Sequence, residues 1–211
     1  MTYTVKSVVD KKIWDLQNGY VANRSGAVAA LARLRRGVGK PAGSVLDILE
    51  FTYAPELVGD PRDDDPTPGE VAAHLCLTLY AVHQQSQRQR MHQRGRPLGR
   101  SIRALIPPDH PDYTRHPVAR RFAMLGTADS LAELEYHLRG MVQLLHTNTV
   151  PLDYGQLAVD LLRWQCPGGA PTVRLWWGRD FHHLSTPAAT SDTGAVDGAV
   201  ESAEPATTPS S

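Results

Sequence analysis

The sequence predicts an all-α fold, in which two small helical-bundle domains are followed by a disordered C-terminal tail. Three observations carry this prediction. Apolar residues recur at intervals of three or four through most of the first 180 positions, which is the period of an amphipathic helix. Capping residues and prolines stand where several of these segments begin. Residues 187–211 contain no hydrophobic side chain larger than valine, a composition typical of disorder.

The composition fits a protein of the cytoplasm. Hydrophobic residues make up 41% of the 211 residues, enough for the core of one large or two small domains. No apolar run approaches the roughly 20 residues that span a bilayer, and the N-terminus lacks the apolar core of a signal peptide. Cys76 and Cys166 are therefore interpreted as free thiols in a reducing compartment rather than as a disulfide or a metal site.

The N-terminal domain, residues 1–110, is predicted to begin with a helical segment. This segment spans about Lys11–Arg36 and is interrupted at Asn23–Gly26. A short second helix is expected around Ser44–Tyr53. An exposed loop follows it, because four prolines and two glycines fall within Pro55–Gly69.

A longer helix is predicted to begin near Thr67 or Pro68 and to continue through the polar, basic stretch that ends at Gly95. Its early part is apolar almost all round, which indicates a buried helix. A shorter helix follows Pro97, and prolines beyond it place the domain boundary near residue 110. The apolar stripes of these two helices are formed by Val71, Leu75, Leu79 and Val82, and by Leu98, Ile102 and Leu105.

The C-terminal domain, residues 111–186, is predicted to hold a second helical set. Ser130 and Glu133 have the spacing of a capping box and indicate the start of a strongly amphipathic helix. Asp153 is placed as the N-cap of the next helix. The aromatic-rich segment Thr172–Phe181 is expected to close the core, either as an extended piece or as a short helix.

Charges of opposite sign are segregated along a chain whose formal net charge is zero. Residues 24–40 hold five basic residues and no acid, and residues 83–121 hold nine arginines against two acids. Residues 47–70 hold eight acids against one arginine, and residues 122–211 hold ten acids against four arginines. The two basic segments either merge into one surface or pair with the acidic segment, and the sequence leaves both open.

Motifs for nucleotide-dependent, hydrolytic or metal-dependent chemistry are absent. The chain has no phosphate-binding glycine loop, no dinucleotide-binding glycine pattern, and no GxSxG, CxxC or HExxH. Asp63–Asp65 lack the spacing of a calcium loop and are interpreted as part of a solvated loop. His74 and Cys76 would point about 200° apart on a helix, so they do not chelate together easily. We expect no cofactor and no metal.

Arginines at helix ends and on helix faces remain as the functional candidates. Such residues bind phosphates without reading sequence, and the affinity falls as salt rises. The basic segments contain almost no aromatic residues, which favours backbone contact over base stacking. Within LARLRRG (Leu31–Gly37), Arg33 and Arg36 share a helix face and are predicted to face phosphate, whereas Arg35 is expected to serve another role. The alternative for this cluster is structural, because cations at a helix C-terminus complement the helix dipole.

Six segments in order resemble a known family. They read ALARLRRG, HQQSQRQRMHQRGRPLGRSIRAL, RRFAML, LEYHLRGMVQLL, LDYGQLAVDLLRW and WWGRDF. The chain resembles the small subunit of the type I-E CRISPR Cascade complex, the CasB family, over about Ile13–Phe181. The acidic tail from Pro187 and the Asp63–Asp65 loop lie outside this pattern and are expected to be peripheral.

The resemblance implies a non-catalytic subunit that acts in antiviral defence. Its implied partners are the backbone and large subunits of Cascade, a second copy of itself, the guide RNA and the target DNA with its displaced strand. Basic surfaces of the family stabilise the R-loop. The arginines that match its basic motifs are Arg33, Arg35, Arg36, Arg94, Arg96, Arg100, Arg103, Arg120, Arg121 and Arg139.

Two alternatives to nucleic-acid binding stay open at this point. The arginines of a helical protein-interaction scaffold would pair with acidic protein surfaces, and Arg139 in particular fits a structural ion pair equally well. A metal-dependent or histidine-dependent enzyme acting on nucleic acid is the second alternative, although no motif supports it.

Overall fold

The computed structural model describes residues 2–60 and 62–182, and the predicted tail, residues 187–211, lies outside this range. The described residues are all-α, as predicted, with four short 3-10 turns and one isolated bridge between His92 and Leu152. The α-helices are α1 (Thr2–Val21), α2 (Ser25–Leu34), α3 (Leu49–Thr52), α4 (Pro68–His83), α5 (Leu98–Arg103), α6 (Pro117–Thr127), α7 (Leu131–Thr147), α8 (Tyr154–Trp164) and α9 (Gly169–His182).

The break in the first helical segment is confirmed, and it separates α1 from α2. Asn23 has a positive φ of 53°, which an uninterrupted helix does not allow. The chain then turns back so closely that a Cβ on Gly19 would lie 2.6 Å from the Cβ of Ala27. The missing side chain at Gly19 therefore allows α1 and α2 to pack against each other.

Three later helices begin where they were predicted to begin, and the caps predicted at Ser130 and Asp153 are present. The Thr67 side chain accepts a hydrogen bond from the Glu70 amide, and the Glu70 carboxylate accepts one from the Thr67 amide, which completes a capping box. Asp153 accepts from the Gln156 amide at 2.9 Å and caps α8. Ser130 caps α7 through the Glu133 amide, but the Glu133 carboxylate reaches the amide of Asp129 instead of that of Ser130.

Several helix bounds differ from the prediction. The first helix begins at Thr2 rather than near Lys11, and the helix expected around Ser44–Tyr53 is reduced to a 3-10 turn at Leu46–Ile48 and the four residues of α3. The basic stretch after His83 is not a continuation of α4, because Ser86 has a positive φ of 58° and the chain folds back. The Gln84 side chain holds this turn by donating to the carbonyls of Gln87 and Gln89. The segment for which an extended piece or a short helix was expected is instead the 14-residue helix α9.

The core runs across the predicted domain boundary. Helix α8 packs against both α1 and α4, and α9 packs across α5. Buried side chains from both sides of residue 110 form one hydrophobic cluster, with α4 buried on nearly every face. The division into domains 1–110 and 111–186 stays a prediction. Among the described helices, none is long and apolar enough to cross a membrane.

Candidate nucleic-acid interface

The first arginine cluster lies against the acidic segment. Arg33 pairs with Glu50 through Nη1 and Oε1 at 2.5 Å, and its guanidinium lies 4.8 Å from the centre of the Phe51 ring. Arg36 pairs with Asp47 at 3.2 Å. Arg35 takes no part in the ion pairs among residues 2–60 and 62–182. The two arginines expected to face phosphate are thus the ones with partners inside the chain.

The first part of the second basic segment, residues 86–94, lies along α1. The Ser86 amide donates to the Tyr20 hydroxyl at 3.0 Å. Gln17 accepts from the amide of His92 at 2.8 Å and donates to the carbonyl of the same residue at 3.3 Å. Arg94 then reaches Asp10 on α1, with 2.9 Å between Nε and Oδ2. These contacts hold residues 86–94 against one face of the first helix.

An open groove of about 600 Å³ lies between α1 and this segment. Lys11 and Trp14 line it from α1, and Arg90 and Arg94 line it from the opposite side. The Arg90 guanidinium lies 5.1 Å from the centre of the Trp14 ring, and 55% of Trp14 is exposed. The groove therefore combines three basic side chains with an exposed indole.

Sequence reasoning missed most of this groove. Of the four residues named above, only Arg94 was a candidate. Lys11 and Trp14 lie outside both basic segments, and Arg90 was counted in a basic segment without being assigned a role. The available signal was the spacing of Lys11 and Trp14, which places them on one face of a helix.

The floor of the groove is a buried carboxylate–imidazole contact. Asp10 is only 4% exposed, and its Oδ1 lies 3.5 Å from Nε2 of His92. Burial lowers the pKa of His92 although Asp10 acts in the opposite direction, so the ring is neutral near pH 7. Because the Tyr154 amide donates to Nδ1 at 3.2 Å, the proton of the neutral ring is on Nε2. Arg94 supplies the positive charge that pairs with this carboxylate.

Asp153 completes a group of three buried side chains whose possible metal-ligating atoms lie within 4.8 Å of one another. Its two oxygens already accept hydrogen bonds from the amides of Gln156 and Gly95. Lys6 lies 3.5 Å from Oδ1 and balances its charge. The cluster is thereby explained as an anchor that joins α1, the 90–96 segment and α8.

The arginines of the next segment divide into engaged and exposed side chains. Arg103 donates to the Ile106 carbonyl at 3.0 Å, and its guanidinium lies 4.6 Å from the centre of the Tyr113 ring. Arg96 is half-buried, while Arg100 is exposed on α5. Of these three candidates, Arg100 is the most accessible to a ligand.

The remaining candidates lie on α6 and α7. Arg121 and Arg139, although 18 positions apart, line the same groove of about 590 Å³ beside the exposed ring of Tyr136. Arg120 is directed elsewhere, because its guanidinium donates twice to the Arg115 carbonyl at 3.3 Å. The structure thus brings two of the predicted residues together and separates the third.

Comparison with known proteins identifies the family. The family described as CRISPR-associated protein Cse2 matches residues 30–182, more than half of the chain. The chain belongs to the Cse2 family. The resemblance inferred from the six segments is thereby confirmed. Lys11 and Trp14 lie before the part of this Cse2-family chain that the match covers.

Solved structures of CasB proteins are similar to this Cse2-family chain. CasB from Thermobifida fusca is 40% identical, with 85% of this chain and 98% of that chain covered and a TM-score of 0.72. CasB from Thermus thermophilus is 26% identical, with 84% and 96% covered and a TM-score of 0.60. A chain of a CRISPR RNA-guided surveillance complex shares the fold at 23% identity, with 84% and 95% covered and a TM-score of 0.62. No curated protein matches significantly.

Proposed function

We propose that this chain is the small, non-catalytic subunit of a type I-E Cascade surveillance complex. It binds the backbone of nucleic acid without sequence specificity and stabilises the R-loop, including the displaced strand, in antiviral defence. Its partners are the backbone and large subunits, a second copy of the same chain, the guide RNA and the target DNA. Membership in the Cse2 family supports this assignment.

The groove beside α1 is the observation that carries the nucleic-acid part of the proposal. Lys11, Arg90 and Arg94 come from two distant segments and converge on one open surface. The negative charge of Asp10 beneath them is buried and paired with Arg94. Because R-loop formation is nearly balanced in energy, a few such backbone contacts are enough to shift it.

The environments of the buried histidines and the cysteine of α4 support a non-catalytic role. Burial lowers the pKa of His83 to about 3, and its Nδ1 is 2.9 Å from the Tyr154 hydroxyl. Burial also lowers the pKa of His74, whose Nε2 lies near the carbonyls of Gly37 and Lys40. The buried Cys76 thiol has a raised pKa for the same reason, which disfavours a reactive thiolate.

The double variant Lys11→Gln/Arg90→Gln tests the proposed groove. We expect its affinity for single-stranded DNA to fall about fivefold to tenfold at low salt. The slope of log affinity against log salt should decrease by about 1.4, since each phosphate contact on a single strand contributes about 0.7. Fluorescence anisotropy with two unrelated sequences measures both quantities, and the two sequences should give the same result.

The matched control is Arg62→Gln/Arg163→Gln, which removes two exposed positive charges away from the groove. It should retain most of the affinity and of the salt slope. Equal losses in the two double variants would show that only net charge matters and that the groove is not the site. If the unmodified protein does not bind nucleic acid, the helical interaction scaffold becomes the better interpretation.

The first arginine cluster provides a separate prediction. Arg33→Ala removes a side chain already paired with Glu50, so we expect less than a twofold loss of affinity for single-stranded DNA. Arg35→Ala removes a side chain outside the ion pairs of the described residues and should cost about twofold to threefold. Anisotropy at one low salt concentration compares the two variants. A larger loss in Arg33→Ala would mean that the Glu50 pair opens when nucleic acid binds.

A further inference from the structure

Trp14 is unusual in its exposure and in its setting. A tryptophan on a helix ordinarily buries most of its ring, yet 55% of Trp14 is exposed. It lies in the groove beside α1 rather than on an isolated part of the surface. Packing of the core does not account for this placement, because neighbouring Ile13 already fills the core position at this level of α1.

Basic groups surround the indole. Arg90 lies 5.1 Å from the centre of its ring, and Lys11 stands one helical turn before it on α1. Arg94 lines the same groove. The acids nearby are Asp10, which is buried and paired with Arg94, and Asp15, which lines a separate pocket on the other side of α1. The surface that a ligand would meet around Trp14 is therefore cationic.

The groove is held in place before any ligand binds. Gln17 uses both ends of its side-chain amide to hold the main chain of His92, and Arg94 is tied to Asp10. The segment that carries Arg90 is thus fixed against the helix that carries Trp14. A site arranged in this way loses little conformational entropy on binding.

An aromatic face beside several cations matches the chemistry of a single-stranded nucleic acid. Unpaired bases stack on aromatic side chains without sequence preference, while neighbouring phosphates are held by basic groups. A duplex does not fit as well, because its base faces are covered by their neighbours. An acidic protein segment would satisfy the charges but would leave the exposed indole without a role.

We propose that Trp14 is a stacking platform for an unpaired base of a single-stranded segment whose phosphates lie on Lys11, Arg90 and Arg94. This inference rests on the proposed function and extends it, because backbone contact alone was expected from the sequence. The basic segments contain almost no aromatic residues, and the fold supplies one from α1. The affinity of this subunit for a single strand therefore depends in part on stacking of a base, in addition to contacts with the phosphates.

The test compares an ordinary DNA strand with an abasic strand that has the same number of phosphates. We expect the full-length protein to bind the ordinary strand about tenfold more tightly than the abasic strand. Trp14→Leu should lose this difference, while its affinity for the abasic strand and its salt slope stay unchanged. Trp14→Phe should recover part of the difference. Thermal unfolding of each variant checks that it remains folded.

The matched control is Trp176→Leu. Trp176 is also partly exposed, at 37%, but it lines a separate pocket with Asp153, Asp160, Arg179 and Asp180, away from the groove beside α1. This variant should bind both strands like the unmodified protein. The inference is overturned if Trp176→Leu loses the difference in affinity between the two strands while Trp14→Leu keeps it. That result would show that the base stacks on Trp176 and not on Trp14.

The remaining outcomes separate this inference from the proposed function. If both strands bind equally well and with a steep salt slope, stacking on Trp14 is wrong and backbone binding stands. If neither strand binds, both proposals fail. If Trp14→Leu binds both strands normally but no longer assembles with the other Cascade subunits, the groove is a protein-docking surface and the inference is overturned.

Discussion

Gly99→Ala is expected to lower the free energy of unfolding by about 2 kcal/mol. Helices α5 and α9 cross at this glycine, and an added Cβ would fall on the Trp177 carbonyl oxygen and lie 2.7 Å from the Phe181 amide nitrogen. Both atoms belong to the backbone, so relief requires a shift of the whole of α9. Overpacking of this kind costs typically 1–3 kcal/mol. Urea unfolding followed by circular dichroism measures the change.

Gly178→Ala is the matched control, because it lies on the same helix α9 with open space around its added Cβ. There the substitution should raise the free energy of unfolding by about 0.5–1 kcal/mol, since alanine reduces the entropy of the unfolded chain. A similar effect at both positions would contradict the close crossing of α5 and α9.

Local signals allowed the helix starts to be predicted from the sequence. Thr67 and Asp153 each cap a helix through an amide three residues away, and such short-range geometry is encoded in neighbouring residues. The end of α4 was not predicted. The hydrophilic stretch after His83 has helix-forming residues, but Gln84 folds back on the carbonyls of Gln87 and Gln89 and ends the helix.

The candidate interface was less predictable because it depends on contacts between distant residues. The groove exists because Gln17 holds His92, 75 positions away. Likewise, the sequence showed a basic and an acidic segment but not that Arg33 would pair with Glu50. The resemblance correctly identified the family of the chain. The candidate site residues that it implied were all arginines, so Trp14 was not among them. Which arginines contact nucleic acid stays a prediction.

Asp160 makes the stability of this fold depend on pH. The residue is 3% exposed, and its carboxylate accepts hydrogen bonds from the Trp177 indole at 2.7 Å and from the Gln156 side chain at 3.0 Å. Burial raises the pKa of this carboxyl from 3.8 to about 6, although both hydrogen bonds act to lower it. The folded state therefore binds the Asp160 proton more tightly than the unfolded state does.

The sign of the effect follows from this difference in proton binding. Between the unfolded pKa and the folded pKa of about 6, the folded state carries more protons at Asp160. Protonation of Asp160 therefore stabilises the folded state as the pH falls from above 6 toward 4. An ion-paired carboxylate, whose folded pKa is lowered, has the opposite effect. The full contribution is about 3 kcal/mol, of which roughly half is gained between pH 8 and pH 5.

Asp160→Asn removes this titration, so its comparison with the unmodified protein isolates the contribution of Asp160. Between pH 8 and pH 5, the free energy of unfolding of the unmodified protein should rise by about 1–2 kcal/mol relative to that of the variant, measured by urea unfolding at each pH. Trp177→Phe removes a hydrogen bond that lowers the pKa of Asp160, and it should move the same transition to higher pH. Parallel pH profiles for the unmodified protein and Asp160→Asn would contradict a raised pKa. Because Trp177 also packs against α5 at Gly99, the Asp160 proton and the α5–α9 crossing stabilise the same part of the fold.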